Sequence, residues 1–392
     1  MRKKLVLLYV ILFFAVLLAP IVCQILGQQE FGKLAGIADP GSPPSFSVKY
    51  ALNGGFQSLF DSWFSRAHGL NAIMIRLKNT IAYTFFNTGN GDVVVGKNHD
   101  LFEEKYIEEY CGLSSEWMAV PEDIYSLVSE IKGIQEYVIS KGKAFVFLIT
   151  PSKADFRAYD IPDKYYVQAE ENEYHQRAYD LFVKELERQG VNFIDSKQLL
   201  SQTNESETYF VNTGIHWTKA AAIKVCNSVF SRLRNQNYSV PSLKVKERWH
   251  TSVADDIEDI DLWNLLNLLY KTKSNSFEAI RMEAISDGNS NLSIYMQGGS
   301  FLVKFARIFQ ECGLFSSKKM LFYDSIHYEF KNDSEITTYF QGYDKLSEKE
   351  AQELFNEITS SDIILLETNQ QYCAKSGAGF YGFFLNCVEK NW

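Results

Sequence analysis

Two short segments of this 392-residue chain carry residue types that can transfer an acyl group. The first is Gln297-Gly298-Gly299-Ser300, which follows the apolar run 292–296 and leads into Phe301-Leu302-Val303. The paired glycines allow a tight turn, and Ser300 then falls at a helix N-terminus. Free backbone N–H groups and the positive end of the helix dipole suit that position to holding an oxyanion. Serine is also a frequent N-cap, so this segment alone fits a purely structural role as well. The second is Thr213-Gly214-Ile215-His216-Trp217-Thr218, ahead of the helical stretch 219–234. Thr218 can cap that helix, which sets His216 close to its N-terminus. The dipole there disfavours imidazolium, leaving a neutral ring able to accept a proton. A structural hydrogen-bonding histidine is the competing reading.

For these groups to meet, the intervening elements must converge on one edge of the molecule. Short apolar runs at 93–95, 144–149, 192–194, 292–296, 320–323 and 363–366 read as strands. Between them, amphipathic segments at about 121–141, 172–189, 218–235, 301–312 and 347–359 read as helices. Pro121 suits a first helical turn, Gly142 and Gly190 suit C-terminal caps, and Ser347-x-x-Glu350 forms a capping box. The alternation predicts an α/β fold: a parallel sheet flanked by helices on both faces, with reacting groups at the carboxyl ends of strands. Residues 87–392 read as that domain, long enough to bury one large core. Residues 28–86 read as a linker, containing Pro40-Gly41-Ser42-Pro43-Pro44, and a helical lead-in from Phe56 to Phe86 that breaks near Gly69.

Composition limits the function classes. The net charge of −9 is too acidic for a nucleic-acid binder that works by neutralising phosphates. With 46% apolar residues, 22% charged residues and eight prolines, the chain is neither a disordered tail nor a collagen-like repeat. Its 29 Phe, 22 Tyr and 6 Trp sit mostly in apolar runs and read as core, with a sugar-stacking surface as the alternative. Arg2, Lys3 and Lys4 precede an apolar run at 5–26 interrupted by Pro20 and Gln24, long enough to cross a bilayer. Basic residues stay cytoplasmic, so residues 1–27 read as a membrane anchor with the body in the periplasm or at the cell surface. A cleaved signal peptide is the alternative. Beyond Cys23, Cys226 and Cys312 read as buried thiols, while Cys373 and Cys387 are close enough in sequence to bridge. No cysteine has zinc-ligand spacing, so neither a metal nor a cofactor is expected.

Together, Gly-x-Ser-Phe at 298–301 and Thr-x-x-His-Trp at 213–217 resemble the SGNH-hydrolase-like family of alginate O-acetyltransferases, the AlgX and AlgJ type. The resemblance runs over roughly residues 56 to 370. It takes in Val95-Gly96-Lys97 with Leu101-Phe102, Thr150-Pro151-Ser152-Lys153, Phe193-Ile194-Asp195 and Leu366-Glu367-Thr368-Asn369. It implies an SGNH-like fold and an anchored, extracytoplasmic O-acetyltransferase acting on an exopolysaccharide or wall polymer. Ser300 would be the nucleophile and His216 the base, with the oxyanion held by N–H groups from Gly299 to Phe301. A multi-pass membrane acyltransferase would be the partner that delivers the acetyl group. Lys153 and Trp217 are candidate substrate contacts, against a solvated surface lysine and an indole that packs to fix His216.

Two acids of the family pattern are missing: one at the position of Gly214, and an Asp where this chain has Gly299. The acid that orients His216 must then come from elsewhere, or a backbone carbonyl must serve. The candidates are Asp195, Glu367 and the run Asp255-Asp256-Ile257-Glu258-Asp259-Ile260-Asp261, with Asp255 and Asp256 foremost. The plain reading of that run is a charged first turn before an apolar helix at 262–270. Two alternatives stay open, a carbohydrate acetyl esterase and a catalytically weak polysaccharide-binding subunit.

Overall fold

The structure is a computed structural model that describes residues 2–25, 33–171, 176–202, 208–254, 256–270, 277–285, 291–331, 334–377 and 379–392. Two compact units emerge, one of Met1–Val95 with Leu262–Lys273 and one of Gly96–Asp261 with Ser274–Trp392.

The second unit is built on a seven-stranded sheet. Its strands run in the order Ser334–Tyr339, Ile326–Lys331, Ser317–Phe322, Ser293–Gly298, Ile363–Asn369, Ala144–Thr150, Phe193–Asp195. The five from Ser317–Phe322 to Phe193–Asp195 are mutually parallel, and the last two strands of the other edge are antiparallel. Parallel strands covered on both faces become near-continuous apolar runs, and Ala144–Thr150 and Ile363–Asn369 are buried throughout. Side chains alternate between two cores. Ala144, Val146 and Leu148 pack with the helices Lys219–Asn235 and Phe301–Glu311, while Phe145, Phe147 and Ile149 pack with Pro121–Ser140, Ala178–Gln189 and Phe380–Glu389.

Local chemistry sets the element ends. Pro121 opens its helix, Gly142 and Gly190 take left-handed backbone after theirs, and Ser347 with Glu350 forms the reciprocal capping box ahead of Glu348–Ser360. The strands read from sequence are all present, displaced by a few residues at their ends. The segment 172–189 is helical over Ala178–Gln189, and its residues 172–175 lie outside the described residues. Several elements have no counterpart in the sequence reading, among them the antiparallel ribbon Ser242–Thr251 with Phe277–Ile285, the hairpin at the sheet edge, the helices Glu104–Cys111 and Asp163–Glu171, and the C-terminal helix. Strands exposed on one face, as at Ser242–Thr251, carry too many charges to stand out as apolar runs. The expected apolar helix at 262–270 is a single short turn, Asp261–Leu265. Among the described residues all six cysteines are free thiols, so Cys373 and Cys387 do not bridge.

The first unit holds the apolar helix Arg2–Ile25, the helices Gly55–Ala67 and Asn71–Phe86 separated around Gly69, and the strand Val93–Val95. Asn79 donates to the Leu266 carbonyl at 2.9 Å and Arg76 to that of Leu268 at 3.0 Å, which fastens the 262–270 segment to the second of these helices.

Candidate active site

The strand Ser293–Gly298 ends at the Gly-Gly turn, and Ser300 stands directly before the helix Phe301–Glu311. His216 stands two residues before Thr218, which caps the helix Lys219–Asn235 through its side-chain oxygen. Both helices cover the same face of the sheet, and this brings together side chains 84 positions apart. His216 Nε2 lies 2.6 Å from Ser300 Oγ. Its other ring nitrogen, Nδ1, lies 2.6 Å from Asp261 Oδ2. An ionised carboxylate only accepts, so Nδ1 carries the proton and Nε2 is left to accept the Ser300 O–H. The Ser300 oxygen then receives a hydrogen bond from the Tyr323 hydroxyl, 3.0 Å away.

Asp261 closes the acidic run, and its carboxylate is held from both sides. The Ile215 N–H donates to Oδ1 at 3.0 Å while His216 occupies Oδ2. The rest of the run is pinned to the serine helix. Lys304 reaches Asp256 at 2.8 Å and Asp259 at 2.9 Å, and Arg307 reaches Asp256 at 3.0 Å and also bonds Glu258. Thr213 donates to the Asp259 carbonyl at 2.6 Å, tying the run to the histidine segment.

This packing accounts for both missing acids. A Cβ on Gly214 would collide with the Glu258 carbonyl oxygen, because the backbone of the acidic run fills the space that a side chain there would need. A Cβ on Gly299 would stand 3.0 Å from the Tyr323 ring and 3.1 Å from its hydroxyl. Each vacated position is taken by a segment that brings its own group to the serine–histidine pair.

Several expected roles need correction. Asp195 does not orient His216: it caps the helix Ser196–Ser201 by accepting from Lys197 N and Gln198 N, and its other oxygen accepts from the Tyr179 hydroxyl. Asp256 is engaged by Lys304 and Arg307, and Asp255 lies outside the described residues. Glu367 is buried beneath the Gly-Gly turn, accepting the Thr150 O–H and, at 2.7 Å, the Gly299 N–H. Gly299 is therefore already committed as a donor, which leaves Phe301, the first residue of its helix, with an N–H free of any intrahelical acceptor. Burial pushes the Glu367 carboxyl up to about 7.

Lys153 cannot touch substrate, because its side chain is fully buried. Its ammonium pairs with Asp100 at 2.8 Å and donates to the carbonyls of Leu101, Val211 and Gly214. It is a strut beneath the segment that leads into His216. Trp217 is also fully buried, stacked on Phe305 and donating to the Phe301 carbonyl at 3.2 Å. It packs the histidine segment against the serine helix, leaving no ring face for a sugar.

Beside Ser300 and His216 stand Asp261, which the sequence offers only as the last acid of the run 255–261, and Tyr323, which no sequence motif marks. Tyr323 follows the strand Ser317–Phe322, whose Phe322 is in register with Gly298. It and Asp324 adopt left-handed backbone, with φ of 45° and 51°, a conformation that costs a non-glycine residue about 1 kcal/mol or more and that tends to cluster at functional sites. The signal for Asp261 was complementary charge: Lys304 and Arg307 are three apart on one helix, and opposite them stands an acidic run.

Residues 93–274 match the family model described as the SGNH hydrolase-like domain of the acetyltransferase AlgX. The probable alginate O-acetylase AlgJ of Pseudomonas aeruginosa is 26% identical over 208 residues, 52% of this chain and 50% of that protein. Its counterpart in Azotobacter vinelandii is 24% identical over 183 residues, 47% and 44% of the respective chains. The chain thus spans about half the length of these curated relatives. Among solved structures, the O-acetyltransferase domain of Pseudomonas putida AlgJ aligns over 76% of this chain and 99% of that one, with a TM-score of 0.45 and 11% identity. Pseudomonas aeruginosa AlgX aligns over 75% and 67%, with a TM-score of 0.45 and 15% identity.

Proposed function

Given a chain of the SGNH hydrolase-like AlgX/AlgJ type, we propose that this protein is a serine-dependent polysaccharide O-acetyltransferase. The observation that carries the reading is the unbroken hydrogen-bonded series Tyr323–Ser300–His216–Asp261. His216 Nε2 takes the Ser300 proton as Oγ attacks the acetyl carbonyl of a donor. The imidazolium then returns that proton to the departing group, leaving an acetyl-serine. A sugar hydroxyl next gives its proton to His216 and attacks the acyl carbon, and Ser300 Oγ leaves and recovers the proton. Asp261 stays ionised throughout, holding the productive tautomer and stabilising the imidazolium. The N–H groups of Ser300 and Phe301 at the helix start, with the Tyr323 hydroxyl, support the oxyanion.

The acceptor is a hydroxyl of an exopolysaccharide or wall polymer. The stretch Lys4–Cys23, with mean hydropathy 3.0 and no buried share, is long and apolar enough to cross a membrane, and we read it as the anchor of an extracytoplasmic body. In that setting a multi-pass acyltransferase would deliver the acetyl group to Ser300.

The test is to incubate the protein with an activated acetyl ester and look for an acetylated Ser300 peptide by mass spectrometry, with and without a glycan acceptor. Ser300→Ala should remove the adduct and cut turnover at least about a thousandfold. An adduct elsewhere, or undiminished turnover, rejects the assignment. Acetate release that no acceptor diverts would reassign the same residues to an acetyl esterase.

A further inference from the structure

Beside the Gly-Gly turn lies a cavity of about 270 Å³ lined in part by Gln297, Tyr323, Asp324, Glu367, Tyr372 and Lys375. We infer that this cavity seats a glycan unit without a carboxylate, so that the acceptor served by Ser300 is an uncharged sugar and not a polyuronate. This rests on the acyl-transfer reading above and names its substrate class.

The cavity sets the Gln297 amide oxygen and the carboxyls of Asp324 and Glu367 among the hydroxyls of Tyr323, Thr368 and Tyr372. Gln297 is 3% exposed, and its Oε1 has no hydrogen-bond partner among the described residues, while its amide nitrogen donates to Asp324 Oδ1 at 3.2 Å. Asp324 is served by that amide and by the Tyr343 hydroxyl at 2.5 Å, neither of them a cation. Glu367 is served by a hydroxyl and a backbone N–H. Burial pushes the two carboxyls up to about 6 and about 7 respectively, outweighing the hydrogen bonds to both and the nearby His216 that act to lower Glu367. Burial raises the Tyr323 and Tyr372 hydroxyls, and nearby carboxylates add to it: Glu367 and Glu103 for Tyr323, and, after Tyr323 itself, Glu103 and Glu116 for Tyr372.

Among the described lining residues Lys375 is the cation. Its ammonium is spent on Glu116 at 2.6 Å and lies over the Trp117 ring, 4.6 Å from its centroid. A sugar hydroxyl can donate to Gln297 Oε1 and to the two carboxyls. A uronate carboxylate can only accept, and it would bring a further negative charge up to Asp324 in a partly desolvated site. The volume falls just below the roughly 300–1,000 Å³ of sites for drug-sized ligands, in keeping with one monosaccharide unit.

The test uses the detergent-solubilised full chain. Ser300→Ala protein, which binds without turnover, is titrated at physiological salt with neutral gluco-, manno- and N-acetylglucosamine tetrasaccharides and with a tetrauronate. At least one neutral glycan should bind about tenfold or more tighter than the uronate. Equal or tighter uronate binding, or binding of none of the probes, overturns the inference. Adding Asp324→Asn should narrow the preference, and an unchanged or wider one overturns the electrostatic account. Acetyl-ester turnover by the unsubstituted chain without acceptor is measured separately. Its absence would sink the acyl-transfer reading, whereas turnover combined with uronate preference would sink only the substrate class.

Discussion

Asp261 shows how a carboxylate can reach His216 from a part of the chain other than position 214. A carboxylate at position 214 would have to share space with the backbone of 258–259, so the acid arrives on that same backbone instead, and Gly214 makes room for it. Asp261 still has the two contacts that such an acid needs, one to the imidazole and one to a neighbouring N–H. Asp261→Asn keeps the shape but lets Nδ1 accept, favouring the wrong tautomer. It should lower acetyl transfer by about a hundredfold to ten-thousandfold while leaving thermal unfolding nearly unchanged. Steady-state kinetics beside a melting curve checks this, and a loss below tenfold would remove Asp261 from the mechanism. Tyr323→Phe should be milder, because only one hydrogen bond to Ser300 Oγ is lost. A fall of about tenfold in turnover with little change in KM is expected.

At the level of elements, the serine helix is also a clamp. Its first residue follows Ser300, and one turn later Lys304 and Arg307 grip the loop whose end carries Asp261. Ser300 and Asp261 are therefore positioned by one helix, and the histidine segment is strapped to it through Thr213 and Trp217. Lys304 is almost wholly buried, with two carboxylates as partners, and its removal strands them. Lys304→Met should cost about 3–5 kcal/mol of stability, as breaking a buried ion pair does. The surviving folded fraction should turn over more slowly, because Asp261 loses its anchor. Chemical denaturation and activity per folded molecule separate the two effects. Lys153→Met should show a similar stability loss through the Asp100 pair. The buried arginine–carboxylate group of Arg177 with Glu109 and Asp155 is built in the same way without touching Ser300 or His216, so buried ion pairs in this fold are not in themselves markers of the site.

For the whole molecule, buried carboxyls make stability depend on pH. Glu367 is raised from the ordinary 4.5 to about 7 by burial. A folded-state value above the unfolded one means that the native state holds its proton more tightly. The resulting stability is complete below about pH 4.5 and is lost as pH rises through 7. A rise of this size corresponds to about 3 kcal/mol, and Asp324, raised from 3.8 to about 6, acts in the same direction. Glu367→Gln should therefore flatten the fall in melting temperature between pH 4.5 and 7.5. A variant that follows the same slope as the parent would show that Glu367 is ionised in the fold at no cost.

The serine and histidine motifs were legible because each couples a turn to a helix start within a few residues, and the α/β class was legible because buried parallel strands are continuous apolar runs. Capping residues and the Gly-Gly turn act over three or four positions, so sequence alone settled where those helices begin. The partner of the histidine, the commitment of Lys153 and Glu367 to burial, and the arrival of Tyr323 over Gly299 depend on strand order and on which loop crosses which helix. Those contacts join distant residues: His216 and Asp261 are 45 positions apart, and Thr150 and Glu367 are 217 apart. Asp195, Asp256 and Asp261 are the same side chain to any local rule, and only packing decides which of them meets an imidazole, which caps a helix and which neutralises a lysine.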